Sequence, residues 1–418
     1  MSGRRLHIAY VCADRGIPIG GYKGASAHVA ELTRALVARG ADVHIVAARV
    51  HDGLTTEELP ATTIDLNARR AVRQSRSTLY AAARTKRERN EAAELLALIS
   101  NQELARTLER LHKTWRIDAV YERYSLWSHA AADFARGARL PYLLEVNAPL
   151  ADEQRRYRTL ANRAAAETLE RYLLSSADKV LVPSAALEPY VIEHGAGAAS
   201  VHVVPNAADP SRFRPASRSI EPRSRNGGDF VVGFAGSLKP WHGVDRLIQA
   251  FRRLHRRSSA YRLLIVGDGP LRGELERAVG TNGLRPKVTF TGAVEIDEVA
   301  TLLTQMDVAV APYPKIPGFY FSPIKVFEYM AAGVPIVASD IGQIGDVLEH
   351  RRTALLHRPG VVGELAAEIE EIRSKPALGT RLAREARSLL CRRYTWQRNA
   401  DRVIAMMRTA RRRKLAAR

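Results

Sequence analysis

The chain has 418 residues, too many for one ordinary hydrophobic core, so two or three domains are expected. Apolar residues make up 46%, which excludes collagen-like and largely disordered chains, and no apolar run approaches the length of a membrane-spanning helix. Lys and Arg number 64 against 44 Asp and Glu, a formal +20 that suits either an anionic partner (nucleic acid, a membrane surface, a phosphorylated substrate) or an arginine-rich solvated surface.

The first predicted element is a strand, Leu6–Cys12. Its apolar stretch is short, contains His7 and is followed by Asp14, so it reads as a buried strand and not as a signal peptide. A glycine-bearing loop runs from Gly16 to Gly24. A helix is predicted from Ser26 onward, with Ala30, Leu32, Leu36 and Val37 apolar and Gly40 past its last turn. Further strands are predicted at Val43–Ala47, Asp118–Tyr121, Tyr142–Val146 and Lys179–Val182, with helical stretches separating them. That alternation predicts an α/β doubly wound domain over residues 1–205. Residues 206–228 hold prolines, arginines and a Gly-Gly pair and read as a linker. The pattern restarts with strands at Phe230–Ala235, Arg262–Val266, Val288–Thr291, Val308–Ala311 and Pro335–Ala338, a second such domain over 229–390. The segment 391–418 reads as an amphipathic helix with a basic tail. Cys12 and Cys391 are the only cysteines, which excludes a disulfide framework and a Cys-rich zinc site and fits a reducing cytoplasm.

One segment of the first domain stands apart. Arg69, Arg70, Arg73, Arg76, Arg84, Lys86, Arg87 and Arg89 are accompanied by a single acid, Glu88. Arg70, Arg73 and Arg76 are three apart and Arg69 is four before Arg73, so the first four lie on or near one helical face. An exposed basic helix is expected, either docking on an anionic membrane or simply solvated. Its apolar side, Leu79, Tyr80 and alanines, makes a poor inserting face.

The strongest chemical signal is residues 319–339. Ser322 suits an N-cap, Pro323 a first helical position, and Gly333 a helix end. The helix then starts beside a strand end, where open α/β sheets bind ligands and where free amides and the helix dipole attract phosphate. Lys325 adds a positive charge there. Glu328, three residues on, can accept from neighbouring ribose hydroxyls. A capped helix carrying a Lys325–Glu328 surface pair fits the same residues.

This stretch resembles the nucleotide-sugar motif of retaining family-4 glycosyltransferases with the GT-B fold. In chain order, Lys23–Val29, Val204–Asp209, Phe234–Ile248, Leu264–Pro270 and Val288–Val294 resemble further motifs of that family. The resemblance implies two Rossmann-like domains facing a cleft, with a C-terminal helix returning to the first. It also implies a donor site in the second domain and an acceptor site in the first. Glu328 takes the place of the second acid of the family's acid-x7-acid motif, which holds the ribose. Tyr320 stands where the family has an acid touching the donor sugar. Ser237 and His242 stand where it often has the Arg and Lys that hold the diphosphate. Lys239 is therefore expected to carry that role, with Lys325, the Ser322–Pro323–Ile324–Lys325 turn and the close approach permitted by Gly236. Gly292 and Val294 would border the base. No essential metal and no cofactor are expected.

Lys23 and Gly24 are expected to contribute to the acceptor side. Arg123 stands where the family often has a His. Glu145 and Asn147, at the end of the next strand, are candidates for acceptor hydroxyls. His129 reads as a helix residue. Gly267, Gly269 and Gly273 only approximate G-x-G-x-x-G, so a nicotinamide enzyme is not expected. The expected activity is retaining transfer from a nucleotide sugar to a hydroxyl acceptor, lipid-linked or soluble, by a cytoplasmic protein peripheral to the membrane. The alternatives are a nucleic-acid-binding protein, for which +20 is the only support, and a GT-B protein without transfer.

Overall fold

The computed structural model describes residues 5–21, 24–55, 59–157, 160–214 and 228–416. The chain divides into two units, Met1–Pro205 with Gln397–Arg418, and Asn206–Trp396.

In the first unit the strands are β1 (Leu6–Cys12), β2 (Ala41–Ala47), β3 (Thr62–Asp65), β4 (Ala119–Arg123), β5 (Tyr142–Glu145), β6 (Lys179–Val182) and β7 (Val201–Val203). Its helices are α1 (Gly24–Ala38), α2 (Arg70–Ala82), α3 (Lys86–Trp115), α4 (Ala130–Gly137), α5 (Leu150–Tyr157), α6 (Arg163–Ser176) and α7 (Glu188–Glu193). The sheet order is β3-β2-β1-β4-β5-β6-β7, all parallel. Strands covered by helices on both faces must be apolar throughout. Ile8 through Cys12 are fully buried, as that requires. The register sets Cys12 beside Arg123 and Arg123 beside Glu145, a row of polar side chains at the carboxyl edge.

The second unit carries β8 (Phe230–Ala235), α8 (Val244–Arg257), β9 (Tyr261–Val266), α9 (Arg272–Thr281), β10 (Val288–Gly292), α10 (Ile296–Leu303) and β11 (Val308–Ala311). After these come α11 (Ile324–Ala332), β12 (Ile336–Ser339), α12 (Gln343–Val347), β13 (Leu355–His357), α13 (Val362–Ser374) and α14 (Pro376–Arg393). The sheet is β10-β9-β8-β11-β12-β13, again parallel. Alternate residues of β8 feed opposite cores: Val232 and Phe234 one, Ala235 the other. The strand order reverses between β1 and β4 and between β8 and β11. These switch points open crevices at the carboxyl edges where ligands of such sheets bind. A last helix, α15 (Trp396–Ala416), belongs to the first unit from Gln397 on, where Asn399 Nδ2 donates to the Pro205 carbonyl (2.8 Å).

Three strands escape the sequence pattern, β3, β7 and β13, each only three or four residues long. Residues 206–214, expected to open a linker, are built into the second unit instead. Ala207, Ala208 and Phe213 are buried, and the Arg387 guanidinium donates to the carbonyls of Pro210 and Phe213. Residues 215–227 of the expected linker lie outside the described residues. The basic segment is two helices, not one. α2 ends before Ala83, and α3 restarts with a capping box, in which Thr85 accepts from the Glu88 amide and Glu88 returns to the Thr85 amide. Arg70, Arg73, Arg84, Lys86, Arg87 and Arg89 are exposed, whereas Arg69 and Arg76 are half-buried.

Candidate active site

The switch point of the second unit gathers the expected donor-site residues. The N-terminus of α11 follows β11 through residues 312–323. Ser322 is not its N-cap; Pro323 occupies that position. The Ser322 hydroxyl is taken instead by the Asn206 amide (3.0 Å), while Asn206 Nδ2 donates to the Ser322 carbonyl (2.6 Å). The turn is thus strapped to the segment that opens the unit. The Tyr329 hydroxyl, one turn into α11, accepts from the Ala235 amide (2.8 Å) and so fixes the helix to the end of β8. With Pro323 at the cap, the Ile324 and Lys325 amides have no carbonyl within the helix to reach. Gly333 ends α11 in the left-handed region, as expected.

Lys325 is buried, 7% exposed, and is not half of a surface pair. Among the described residues its ammonium has no hydrogen-bond partner, and it lies over the rings of Phe234 (4.4 Å) and Tyr313 (5.3 Å). It reaches the underside of Gly236, where a Cβ would sit 2.7 Å from Lys325 Cε and 2.9 Å from Nζ. Gly236 also has a φ of 138°, so both space and backbone require glycine there. Burial pulls the Lys325 pKa down to about 7, although Glu328 favours the charged form.

The loop after β8 carries Ser237, Lys239 and His242. The His242 ring donates through Nδ1 to the Ser237 carbonyl (2.5 Å). Burial, helped by the charge of Lys325, pushes its pKa down to about 3, so the imidazole is neutral across the physiological range. Lys239 is exposed, its ammonium 4.9 Å from the Trp241 ring. The loop is fixed from behind by the Leu238 amide donating to the Asp268 carbonyl (2.9 Å), and the Gly267 amide donates to the Gly292 carbonyl (3.0 Å). These bonds bring the ends of β8, β9 and β10 together. Gly292 is buried and Val294 half-buried at this edge. Tyr320 is half-buried against Phe321, ring centroids 4.5 Å apart. Glu328 is half-buried, one turn along α11 from the amides.

The first unit has a cluster at its own switch point. The Glu145 carboxylate accepts from Arg123 Nη1 (3.2 Å), Asn147 Nδ2 (2.7 Å) and the Tyr121 hydroxyl (2.9 Å), and His28 Nε2 lies 2.6 Å away. Both oxygens are therefore occupied within the protein, and Glu145 does not offer an open acceptor as expected from its position. Burial alone would raise its pKa, but His28, Arg123 and these hydrogen bonds hold it well below the usual carboxylate range. Glu122, on the other face of β4, shows the opposite: burial pushes it up to about 7 despite bonds from Ser128 and Tyr142. Gly24 is exposed at the start of α1, and Lys23 lies outside the described residues. His129 precedes α4 and pairs with Asp133 (2.8 Å).

Sequence reasoning passed over His28, Tyr121, Asn206, Phe234, Tyr313 and Tyr329. His28 and Asn206 stood inside motifs already singled out. Phe234 and Tyr329 also stood inside such motifs, but they, Tyr121 and Tyr313 had no signal of their own beyond ordinary core composition. Among the described residues no three His, Cys, Asp or Glu side chains gather as metal ligands, and no helix is long and apolar enough to cross a membrane.

Comparison with known proteins agrees with this geometry. Residues 229–375 match the family model described as Glycosyl transferases group 1, and residues 23–207 match the Glycosyl transferase 4-like domain. The chain is 33% identical to 2-deoxystreptamine glucosyltransferase of Streptomyces kanamyceticus, over 44% of this chain and 48% of that one, about half its length. It is 27% identical to glycogen synthase of Mycobacterium tuberculosis, over 90% of this chain and 88% of that one. Its fold is similar to that of sucrose-phosphate synthase from Thermosynechococcus elongatus (TM-score 0.72, 20% identity, 97% and 99% of the two chains covered). It is similar too to Anabaena HepE in complex with UDP (TM-score 0.68, 20% identity, 97% and 100% covered). Two parallel, doubly wound units in tandem with these neighbours define the GT-B fold. The chain belongs to the family-4, group 1 glycosyltransferases.

Proposed function

We propose that the chain transfers a sugar from a nucleoside-diphosphate sugar to a hydroxyl acceptor with retention at the anomeric carbon and without a metal. The observation that carries this is the open N-terminus of α11 at the β8/β11 switch point, with Glu328 one turn behind it. Free amides suit a diphosphate, and a carboxylate at that distance along the helix suits ribose hydroxyls. A fold neighbour holds UDP and a relative is named as a GDP-mannose-dependent mannosyltransferase, which supports a nucleotide-sugar donor.

In the transfer, the bond from the anomeric carbon to the diphosphate oxygen breaks and its electron pair leaves with the diphosphate. The acceptor oxygen bonds to the same carbon on the same face, and its proton passes to a diphosphate oxygen. No protein nucleophile is needed. The protein's part is to position both substrates and stabilise the leaving charge, through the 322–325 turn, Gly236 and Lys239. Ser237 and His242 shape the loop, Gly292 and Val294 border the base, and Tyr320 borders the sugar. The acceptor belongs to the first unit, where Arg123, Asn147, Lys23 and Gly24 are its candidates and Glu145 positions Arg123 and Asn147. A product in glycan, glycolipid or polysaccharide synthesis fits a hydroxyl acceptor. The exposed arginines of α2 and α3 suit a cytoplasmic enzyme peripheral to an anionic membrane that carries a lipid-linked acceptor.

The test is a thermal-shift screen of UDP-, GDP- and ADP-sugars, followed by transfer and hydrolysis measurements with any donor that stabilises the protein. A rise of a few degrees with one donor, then turnover that survives excess EDTA, is expected. No stabilisation by any nucleotide sugar would refute the donor assignment, and stabilisation without turnover would leave a binding protein.

A further inference from the structure

In the family pattern the diphosphate is met by cations on the loop after the first strand of the donor unit. Here those positions hold Ser237 and His242, and the two are bonded to each other through Nδ1 and the Ser237 carbonyl. The histidine ring, with that proton committed and its pKa about 3, brings no charge. Directly beneath the same loop lies the Lys325 ammonium, with no hydrogen-bond partner among the described residues, 7% exposed, on the faces of two aromatic rings. Ring faces attract a cation but do not satisfy its three N–H donors. An ammonium buried without a hydrogen-bond acceptor is costly even with the Glu328 charge nearby, and a methionine would fill a similar volume against Phe234 and Tyr313. The gap left by the absent side chain of Gly236 is where Nζ reaches toward the carboxyl edge.

We propose that Lys325 supplies the counter-charge of the donor's diphosphate in this chain, entering from beneath Gly236 in place of the loop cations at positions 237 and 242. This rests on the reading of the second unit as a nucleoside-diphosphate-sugar site. The relocation changes how the site behaves. A cation on an open loop is charged whether or not a ligand is present. A cation under the loop is held partly neutral until an anion arrives, and diphosphate binding then takes up a proton. The groups around Lys325 leave it as the titrating member near neutrality. His242 is already neutral, burial raises the Tyr313 hydroxyl above the accessible range, Glu328 lies on the same helix, and Lys239 is exposed on the loop.

The experiment is calorimetric titration of UDP, GDP, UMP and GMP into the wild-type chain, Lys325→Met, and Lys325→Met combined with His242→Lys. Lys325→Met is expected to bind the diphosphate at least tenfold more weakly, to lose less toward the monophosphate, and to unfold at or above the wild-type temperature in the absence of ligand. Restoring a loop cation with His242→Lys is expected to recover part of the affinity. The wild-type advantage over Lys325→Met is expected to be full below pH 7 and to shrink as pH rises beyond it; taking the difference cancels the titration of the nucleotide itself. If the wild type binds no nucleotide, the donor reading fails. If it binds and Lys325→Met binds equally at every pH, this inference fails while the donor reading stands. Unfolding of ligand-free Lys325→Met would also overturn it, because an ammonium without a hydrogen-bond acceptor leaves no hydrogen bond to lose and methionine keeps the contact with the two rings.

Discussion

The two switch points are alike in backbone and opposite in electrostatics. In the first unit, Glu145 is closed by its partners: Arg123, Asn147, Tyr121 and His28 crowd its two oxygens, and its carboxylate is held charged. In the second, Lys325 meets ring faces and, among the described residues, no hydrogen-bond acceptor, and burial drives it toward neutrality. A saturated buried charge organises the protein around it. An unsaturated one is a cost carried by the fold, and it makes sense where a ligand completes it. Both groups are ionisable and buried; their charges are opposite, and the count of hydrogen-bond partners separates the structural group from the ligand-directed one.

The harshest test of that contrast is Glu145→Ala. Removing one partner of a buried ion pair leaves Arg123 and His28 uncompensated, and about 3–5 kcal/mol of stability should be lost, read from urea unfolding. A loss below about 1 kcal/mol would show that the cluster is not the organising hub described here. The sign with pH also follows. Because the folded-state pKa of Glu145 lies below its unfolded value, its contribution is present above roughly pH 4 and is lost as pH falls below that. Glu145→Gln should remove that part of the acid sensitivity.

Glu328→Ala comes next in size and addresses the other switch point. Two charge-assisted hydrogen bonds to ribose would cost about 2–4 kcal/mol in kcat/KM with a donor sugar, while the melting temperature stays near wild type. Unchanged turnover in the folded variant would place the ribose elsewhere and remove the ligand-directed half of the comparison.

The fold was legible in the sequence because buried parallel strands leave uninterrupted apolar runs even when short, as in β1, β6, β8 and β11. The edge strands β3 and β7 did not, being short and only half-buried, with Thr62, Thr63 and His202 among their residues. The helix at 324 was legible from Pro323 and Gly333, but Ser322 was placed wrongly. A serine before a proline suits an N-cap, and nothing local reveals that Asn206, 116 positions earlier, takes its hydroxyl. Glu145 was legible as a strand-end carboxylate and illegible as a saturated one, because three of its four partners come from other segments. Lys325 was legible as a charge near a helix start. Its burial depends on Phe234, Tyr313 and Gly236, which converge only in three dimensions.

That strap suggests a finer probe. Asn206→Ala leaves the buried Ser322 carbonyl without its side-chain donor, so about 1–3 kcal/mol of stability should be lost. Nucleotide affinity should fall severalfold as the α11 N-terminus loosens. Full stability loss with unchanged affinity would show that the turn is positioned by β11 and Tyr329 alone.

The smallest expected effect concerns a third set of charges, neither saturated nor buried. On α2 only Val72 is buried, and Arg70 and Arg73 are exposed. Arg76 donates to Asn67 Oδ1 (3.1 Å), and Arg87 pairs with Glu91 (2.9 Å), so these two are tied to their neighbours. Changing Arg70, Arg73, Arg84, Lys86 and Arg89 to Gln together should therefore leave stability within about 0.5 kcal/mol per site of wild type. The same residues, if they meet an anionic surface, contribute about 1 kcal/mol each, and that contribution weakens with salt. Co-sedimentation with anionic vesicles at low ionic strength should then fall sharply in the variant while neutral vesicles bind neither protein. Arg76→Gln alone should act differently, costing a little stability through its lost bond to Asn67 and about one residue's share of vesicle binding. Wild-type protein that ignores anionic vesicles even at low salt would make these arginines a solvated face and favour a soluble acceptor.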